Sequence, residues 1–302
     1  MRSMTMGSAS LWGTPHRPFS GAGHPSPPPG APAPVPTTMS DRKSGEGHGV
    51  WDGWSVDRVR VVGVSPGRSA RQHLPRPQLW TPGAEAPWAG LPSGARRLTV
   101  ASIGRSISAG ALETSPIDVA DVGPAASVLA VLAPAADDEL EVIVTRRSRH
   151  LRTHAGELSL PGGAQDPGEA LVDTALREAT EEVGLRRGDV DVAGYLHPLR
   201  TASSGRWIVP FVAVAEHRPN VWIASPNEVA EVLHVPLVHL LKPGVFWEER
   251  WGMGDMSWPI SFFDLGPDVI WGATAAMLRD LLARLLDVAV PPRQDPATWV
   301  RT

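Results

Sequence analysis

The strongest constraint on the fold lies in one stretch of the sequence, residues 145–185. In the second half of this stretch, apolar residues recur at intervals of three and four positions, which places them along one stripe of an α-helix. These residues are Val172, Ala175, Leu176, Ala179 and Val183. Because such a stripe is stable only when it faces a core, the sequence predicts an amphipathic helix packed on a larger folded unit.

The sequence also predicts both ends of this helix. Asp166, Pro167 and Glu169 form the pattern of an N-cap, a first-turn proline and a capping-box partner, so the helix is expected to start at Asp166. Gly184 follows the last residue of the apolar stripe and predicts the end of the helix, where glycine is the common C-terminal cap.

Three carboxylates, Glu178, Glu181 and Glu182, project from one side of the predicted helix. Like charges at this spacing repel one another, and a hard divalent cation such as Mg²⁺ would remove the repulsion while keeping positions for water and phosphates. Arg177 is placed to orient Glu169 or Glu181 through a bidentate pair. The alternative interpretation is a solvated acidic face on an ordinary helix.

The spacing between a glycine pair and these glutamates favours the metal-binding interpretation. Gly163 is followed after five residues by Glu169 and after seven more by residues 177–185. This pattern, G-x5-E-x7-R-E-U-x-E-E-x-G-U, resembles the signature of the Nudix hydrolases. The resemblance implies an α/β fold, the Nudix-type α/β/α sandwich with a mixed sheet. It also implies catalytic and metal-binding roles for the three glutamates, with Mg²⁺ or Mn²⁺ as the cofactor.

A second set of residues, upstream of the helix, is similar in spacing to a signature of the coenzyme A pyrophosphatases within the Nudix group. The set includes Arg147, Arg152, Gly156, Gly162 and Gly163. The resemblance implies hydrolysis of the pyrophosphate bond of coenzyme A or an acyl derivative to phosphopantetheine and adenosine 3′,5′-bisphosphate. Since guanidinium groups bind phosphate oxygens in pairs, Arg147 and Arg152 are the candidate substrate-binding side chains, with Gly162 and Gly163 in the adjoining loop.

Several neighbouring residues have less defined roles. Alternation along the end of a strand predicts that Arg146 and Arg147 point in opposite directions. His154 is expected to be a structural hydrogen-bonding residue. The general base is left open between one of the three glutamates and two residues of a later loop, Glu228 and Glu231.

Two other functions are compatible with the same motifs. A Nudix pyrophosphatase acting on another nucleoside diphosphate-linked compound or on a nucleoside triphosphate would use the same acidic helix. A non-catalytic, ligand-sensing Nudix module would share the fold but would have no need of three carboxylates that repel one another.

Composition limits the partners of the 302-residue chain. A net charge of −4 gives no reason to expect nucleic acid or an anionic membrane as a partner, so we expect a small-molecule substrate, and the sequence predicts no particular oligomeric state. No stretch reaches the length of a membrane span. The absence of cysteine excludes disulfides and thiol catalysis and fits a cytoplasmic protein.

The domain organisation follows from changes in composition. We expect a disordered, Pro/Gly/Ser-rich tail over residues 1–55, a partly ordered extension over 56–123 whose tryptophans pack on the domain, a Nudix domain over 124–290 and a C-terminal tail over 291–302. Outside the acidic helix, apolar patterns predict the following elements. They are strands at 59–64, 126–133, 140–145, 190–196, 208–215, 229–235 and 259–263, and helical segments at 100–107, 238–241 and 270–286.

Overall fold

The computed structural model describes residues 59–61, 72, 74–108, 110–112, 125–135, 138–201, 205–252 and 257–289. Contacts divide the chain into two units, Met1–Asp52 and Gly53–Thr302, and every described residue belongs to the second. The tails expected at 1–55 and 291–302 lie outside the described residues. Within the described ranges, no helix has the length and apolar character needed to cross a lipid bilayer.

The described residues form thirteen β-strands and four α-helices. The strands are β1 (Val59–Val61), β2 (Trp80–Pro82), β3 (Ala125–Pro134), β4 (Leu140–Arg147), β5 (Leu158–Ser159), β6 (Gly162–Ala164), β7 (Asp191–Tyr195), β8 (Leu199–Arg200), β9 (Trp207–Val214), β10 (Val229–Pro236), β11 (Phe246–Trp251), β12 (Trp258–Asp264) and β13 (Val269–Trp271). The helices are α1 (Val100–Ser108), α2 (Leu171–Val183), α3 (Leu237–Leu240) and α4 (Gly272–Leu285).

Nine strands form a mixed sheet in the order β1-β10-β4-β3-β9-β7, with β5 beside β4, β6 beside β3 and β8 beside β9. β3 and β4 are antiparallel neighbours and correspond to the strands predicted at 126–133 and 140–145. β3 runs parallel to β9, and β1 runs parallel to β10, so the sheet is mixed as expected. The strands predicted after the acidic helix correspond to β7, β9, β10 and β12.

Helices cover both faces of this sheet. Adjacent residues of a strand point to opposite faces, so neighbouring residues of β3 show which helices pack on each face. In β3, Leu129 belongs to the apolar cluster that contains Ala179 of α2. The next residue, Ala130, belongs to the cluster that contains Leu278 of α4 and Ile103 of α1. The chain therefore has the predicted α/β fold with a mixed sheet between helices, with the acidic helix on one face and α4 on the other.

A second, antiparallel sheet has the order β13-β12-β11-β2. Trp247 of β11 stacks on Phe262 of β12 with ring centroids 4.8 Å apart. Glu249 is 2% exposed and accepts hydrogen bonds from Arg76 and from the indole N–H groups of Trp247 and Trp251. Its carboxylate is thus fully paired, and it connects the strand to the segment that precedes β2.

The predicted packing of the extension's tryptophans is confirmed for Trp88 and wrong for Trp80. Trp88 is 1% exposed and stacks on Phe263 with ring centroids 6.2 Å apart. Trp80 lies on the edge strand β2 and is 41% exposed, with the guanidinium of Arg76 over its ring.

Helix α2 begins later than predicted, with Ala170 rather than Asp166 as its N-cap. Gly168, at φ 79°, turns the chain between the two positions. The Asp166 N–H still donates to the Glu169 carboxylate at 3.2 Å, so the capping-box contact forms in the turn before the helix. The predicted end is confirmed, because Gly184 adopts the left-handed conformation at φ 66°.

The C-terminal helix was also predicted to start too early. Ile270 belongs to strand β13 and pairs with Phe263 of β12. Gly272, at φ 64°, is the first residue of α4 and directly follows that strand. Strand and helix adjoin without a loop, so the apolar periodicity of α4 runs on into the strand sequence.

Candidate active site

Gly162 and Gly163, here called the glycine loop, lie in strand β6, which pairs with β3. Gly162 pairs with Val128, and Gly163 pairs with Ser127. A Cβ atom on Gly162 would clash with the Ser127 carbonyl and with Val128. Only glycine allows the two backbones to approach so closely, which explains the residue type at this position.

Two of the three predicted glutamates lie against this loop. The carboxylate of Glu178 occupies the space where a side chain on Gly163 would lie. The Gly162 N–H donates to Oε2 of Glu182 at 3.3 Å, and Glu182 is 3% exposed. Helix α2 therefore presents two carboxylates, one turn apart, to the glycine loop.

Burial makes the charged form of both carboxylates unfavourable. Burial raises the pKa of Glu182 to about 8, with further increases from the charges of Glu178 and Glu228 and opposing contributions from the Gly162 N–H and Arg147. Burial also raises the pKa of Glu178, and the charge of Glu228 adds to this effect. The loop is thus bordered by acidic groups that lack sufficient compensating positive charge.

Arg177 forms hydrogen bonds with three acidic side chains of the motif. It donates to both oxygens of Glu169, at 2.9 and 3.1 Å, which is one of the two bidentate pairs expected for it. Its Nη1 also donates to Glu178 at 3.0 Å and to Glu181 at 3.1 Å. The Glu181 side chain is 55% exposed. Glu181 therefore lies on the solvent side of the motif, whereas Glu178 and Glu182 face the glycine loop.

The two later glutamates left open as general bases lie in different surroundings. Glu228 directly precedes β10, and its carbonyl accepts a hydrogen bond from the Ser148 N–H at 2.6 Å. Its charge acts on Glu178 and Glu182 of α2. Glu231 instead accepts a hydrogen bond from Nε of Arg146 at 2.8 Å. Of these two glutamates, Glu228, just before β10, is therefore the one that acts on this site.

The neighbours Arg146 and Arg147 point in opposite directions, as predicted. Arg146 is 9% exposed and donates to Glu231 and to Asp268, each at 2.8 Å. The positive charge of Arg147 acts on Glu182 and opposes the rise in its pKa. Nε of Arg147 is buried and has no hydrogen-bond partner among the described residues. Of these two arginines, only Arg147 is available to bind a ligand beside Glu182.

Arg152 and His154 lie in the connection between β4 and β5. Arg152 is exposed and forms no side-chain hydrogen bond or ion pair with another residue that the structure describes. His154 lies 3.0 Å from Glu157 through Nδ1, and this hydrogen bond raises the pKa of the imidazole. His154 thus has the structural hydrogen bond expected for it.

Comparison with known proteins decides the family. Residues 124–253 match the family described as the NUDIX domain. A protein named uncharacterized Nudix hydrolase NudL, from Yersinia enterocolitica, is 39% identical over 150 residues, which cover 47% of this chain and 73% of the relative. The chain belongs to the Nudix hydrolase family.

Two further matches extend the comparison. The NudL protein of Salmonella paratyphi B is 36% identical to this Nudix hydrolase over 159 residues, covering 50% of this chain and 77% of the relative. A solved structure of a MutT/nudix family protein from Enterococcus faecalis has 18% sequence identity and a TM-score of 0.38, covering 63% of this chain and 70% of that one. Membership in the family makes this chain a Nudix pyrophosphohydrolase, and Nudix domains bind small molecules that contain a nucleoside diphosphate.

Nudix hydrolases typically depend on a divalent metal, and the acidic residues present fit such an ion. Within the described ranges, no group of three or more His, Cys, Asp or Glu residues is arranged to hold a metal ion by itself. Mg²⁺ in phosphate-processing enzymes is usually held by one or two carboxylates together with substrate phosphates, rather than by a cage of protein ligands. Glu182, which is buried, and Glu178, which is half-buried, both adjoin the glycine loop and supply such a pair of oxygen donors.

Three contacts between the segment 222–224 and the end of the Nudix helix were not predicted from the sequence. The Trp222 N–H donates to the Val183 carbonyl at 3.0 Å, and the Ala224 N–H donates to the Glu182 carbonyl at 3.1 Å. The indole of Trp222 also covers Gly184 so closely that a Cβ there would clash with it. These contacts fix the last turn of α2. The segment has no apolar periodicity, and Gly184 was the only signal in the sequence of a close approach here.

Proposed function

We propose that this Nudix pyrophosphohydrolase cleaves the pyrophosphate bond of coenzyme A, or of an acyl derivative, to give phosphopantetheine and adenosine 3′,5′-bisphosphate. The observation that most supports this substrate is the position of Arg147. Its charge acts on Glu182, while its buried Nε has no hydrogen-bond partner among the described residues. Because a buried donor without a partner is costly, we take a phosphate oxygen of the pyrophosphate to be the group that Arg147 binds.

Coenzyme A also has a 3′-phosphate, so its binding site needs a second cationic group. Arg152 is the proposed partner of this phosphate, because it is exposed in the connection between β4 and β5 and forms no ion pair with another described residue. Gly162 and Gly163 lie between the two acidic side chains and the body of the sheet, and they are the proposed backbone neighbours of the diphosphate.

Glu178 and Glu182 are the proposed principal ligands of Mg²⁺ or Mn²⁺, with Glu181 as a third contributor from its exposed position. When bound, the metal would neutralise the charge that develops on the phosphates and make the attacking water more acidic. The water oxygen forms a bond to one phosphorus, and the bond from that phosphorus to the bridging oxygen breaks. A carboxylate among Glu178, Glu182 and Glu228 accepts the proton of the water.

Product analysis in ¹⁸O-labelled water tests this reaction directly. Purified protein is incubated with coenzyme A and Mg²⁺, and the products are identified by mass spectrometry. The proposal predicts phosphopantetheine and adenosine 3′,5′-bisphosphate in equal amounts, with one ¹⁸O atom in only one of the two products. Release of inorganic phosphate with formation of dephospho-coenzyme A would contradict it, since that reaction leaves the pyrophosphate intact. E182Q protein, assayed in parallel, controls for a contaminating hydrolase.

A further inference from the structure

The connection between β4 and β5, residues 148–157, is here called the substrate loop because it contains Arg152. Backbone hydrogen bonds close this loop at its base. The Arg147 N–H donates to the Glu157 carbonyl at 2.9 Å, and the Gly156 N–H donates to the Arg147 carbonyl at 3.1 Å. The end of β4 therefore fixes the base of the loop, and side chains from elsewhere in the chain add further contacts there.

Such contacts converge on the carbonyl oxygen of Gly156. It accepts hydrogen bonds from Nε2 of Gln72 at 3.3 Å and from Nη1 of Arg146 at 3.4 Å. Each donor is held in turn by one of two consecutive residues. Oε1 of Gln72 accepts the Val269 N–H at 2.8 Å, and Nη2 of Arg146 donates to Asp268 at 2.8 Å. Two short chains of hydrogen bonds thus tie the loop to the start of β13.

In the sequence, residues that make these contacts lie both before and after the region that matches the Nudix family. Gln72 precedes the region 124–253 that matches the family, and Asp268 and Val269 follow it. The Asp268 side is rigid, because Asp268 is fully buried and Arg146 is 9% exposed. Gln72 is half-buried, lies before the domain and hydrogen-bonds to the substrate loop.

We infer that Gln72 is a positioning residue, through which the segment before the Nudix domain sets the place of the substrate loop and hence of Arg152. The inference rests on the proposed function insofar as Arg152 binds the 3′-phosphate of coenzyme A. The hydrogen bonds themselves do not depend on the identity of the substrate, so loop anchoring and substrate recognition are tested separately.

Hydrogen exchange in the ligand-free, full-length chain tests the anchor. Q72M keeps the length of the side chain and removes both its donor and its acceptor. Since each hydrogen bond is worth a modest net free energy, we expect amide exchange within residues 148–157 to become roughly three- to tenfold faster, with the melting temperature unchanged. Q78M is the matched control, because Gln78 is exposed and its side chain makes no hydrogen bond with a described residue. Exchange in the loop of Q72M equal to that of Q78M would overturn the anchor.

Steady-state kinetics test the consequence for the substrate. Q72M should raise KM for coenzyme A roughly three- to tenfold, with kcat within about twofold of wild type and little change in KM for dephospho-coenzyme A, which lacks the 3′-phosphate. A merely structural role would change both substrates alike. If wild type hydrolyses coenzyme A and Q72M matches it on both substrates, the inference fails and the proposed function stands. If wild type does not hydrolyse coenzyme A, the proposed function fails, and hydrogen exchange alone decides whether Gln72 anchors the loop.

Discussion

The carboxylate of Glu178 lies directly beside the α-carbon of Gly163, in the space that any side chain at residue 163 would need. We therefore expect G163A to move Glu178 without unfolding the protein, and to lower kcat/KM roughly a hundredfold, because small displacements of a catalytic group have effects of this size. Activity assays with circular dichroism test this. G188A is the control, since a Cβ at Gly188 meets no atom within 4 Å. Equal activity of the two variants would show that the close approach has no role in catalysis.

Replacement of Glu182 by glutamine should separate activity from stability. The substitution keeps the shape and removes a carboxylate whose pKa burial raises to about 8, so the melting temperature should stay the same or increase. Activity at saturating Mg²⁺ should fall roughly a hundredfold or more. E181Q should have a smaller effect, because the Glu181 side chain is 55% exposed. Near wild-type turnover of E182Q would show that Glu182 has no catalytic role.

Glu169 should make the protein sensitive to acid. Hydrogen bonds from Arg177 and then Thr174 lower the pKa of Glu169 from 4.5 to about 2. A carboxyl group whose pKa is depressed by folding adds stability that is fully present above pH 4.5 and is lost as the pH falls towards 2.

Urea unfolding of wild type and E169Q at several pH values measures this contribution. We expect E169Q to be less stable by about 1–3 kcal/mol at pH 7, with the difference shrinking to near zero at pH 2. D189N is the control, because Asp189 pairs with an Arg186 side chain that is 78% exposed, and such surface pairs contribute about 0–1 kcal/mol. A difference between wild type and E169Q that does not change with pH would contradict the assignment.

The sequence was most informative where one short segment determines both the structure and the chemistry. The apolar stripe that includes Ala179 and Val183 predicted helix α2, and the spacing of Glu178 and Glu182 predicted that both project from one side of it. The predicted start of the helix was wrong because a capping-box contact also forms in a turn, and Gly168 adopts φ 79° in that turn. Local patterns do not distinguish these two uses of the same residues.

The missed features depend on contacts between distant parts of the sequence. Strand β2 has three residues, ends in Pro82 and is exposed, so nothing in its sequence indicates that it pairs with β11. Glu228 was left open beside Glu231, and only the pairing of β10 with β4 separates their surroundings. No local pattern in the sequence indicated the contacts of Gln72, because its two hydrogen-bond partners are 84 and 197 residues away in the chain.

Substitution of the two arginines should reveal which phosphate each one binds. A charge-assisted hydrogen bond is worth about 1.5–3 kcal/mol, so R152A should lower kcat/KM for coenzyme A roughly ten- to a hundredfold. On dephospho-coenzyme A the same variant should cost little, because the proposed partner of Arg152 is already missing. R147A should impair both substrates, since Arg147 is assigned to the pyrophosphate. If R152A impaired both substrates equally, the 3′-phosphate would not be its partner.

The central claim is that the substrate is coenzyme A or an acyl derivative, and the kcat/KM values of the wild-type protein on a small set of substrates test it most directly. Coenzyme A, dephospho-coenzyme A, ADP-ribose and nucleoside triphosphates are compared at one concentration of Mg²⁺. We predict that coenzyme A has the highest kcat/KM, with dephospho-coenzyme A roughly ten- to a hundredfold lower. Faster hydrolysis of ADP-ribose or of a nucleoside triphosphate than of coenzyme A would contradict the claim.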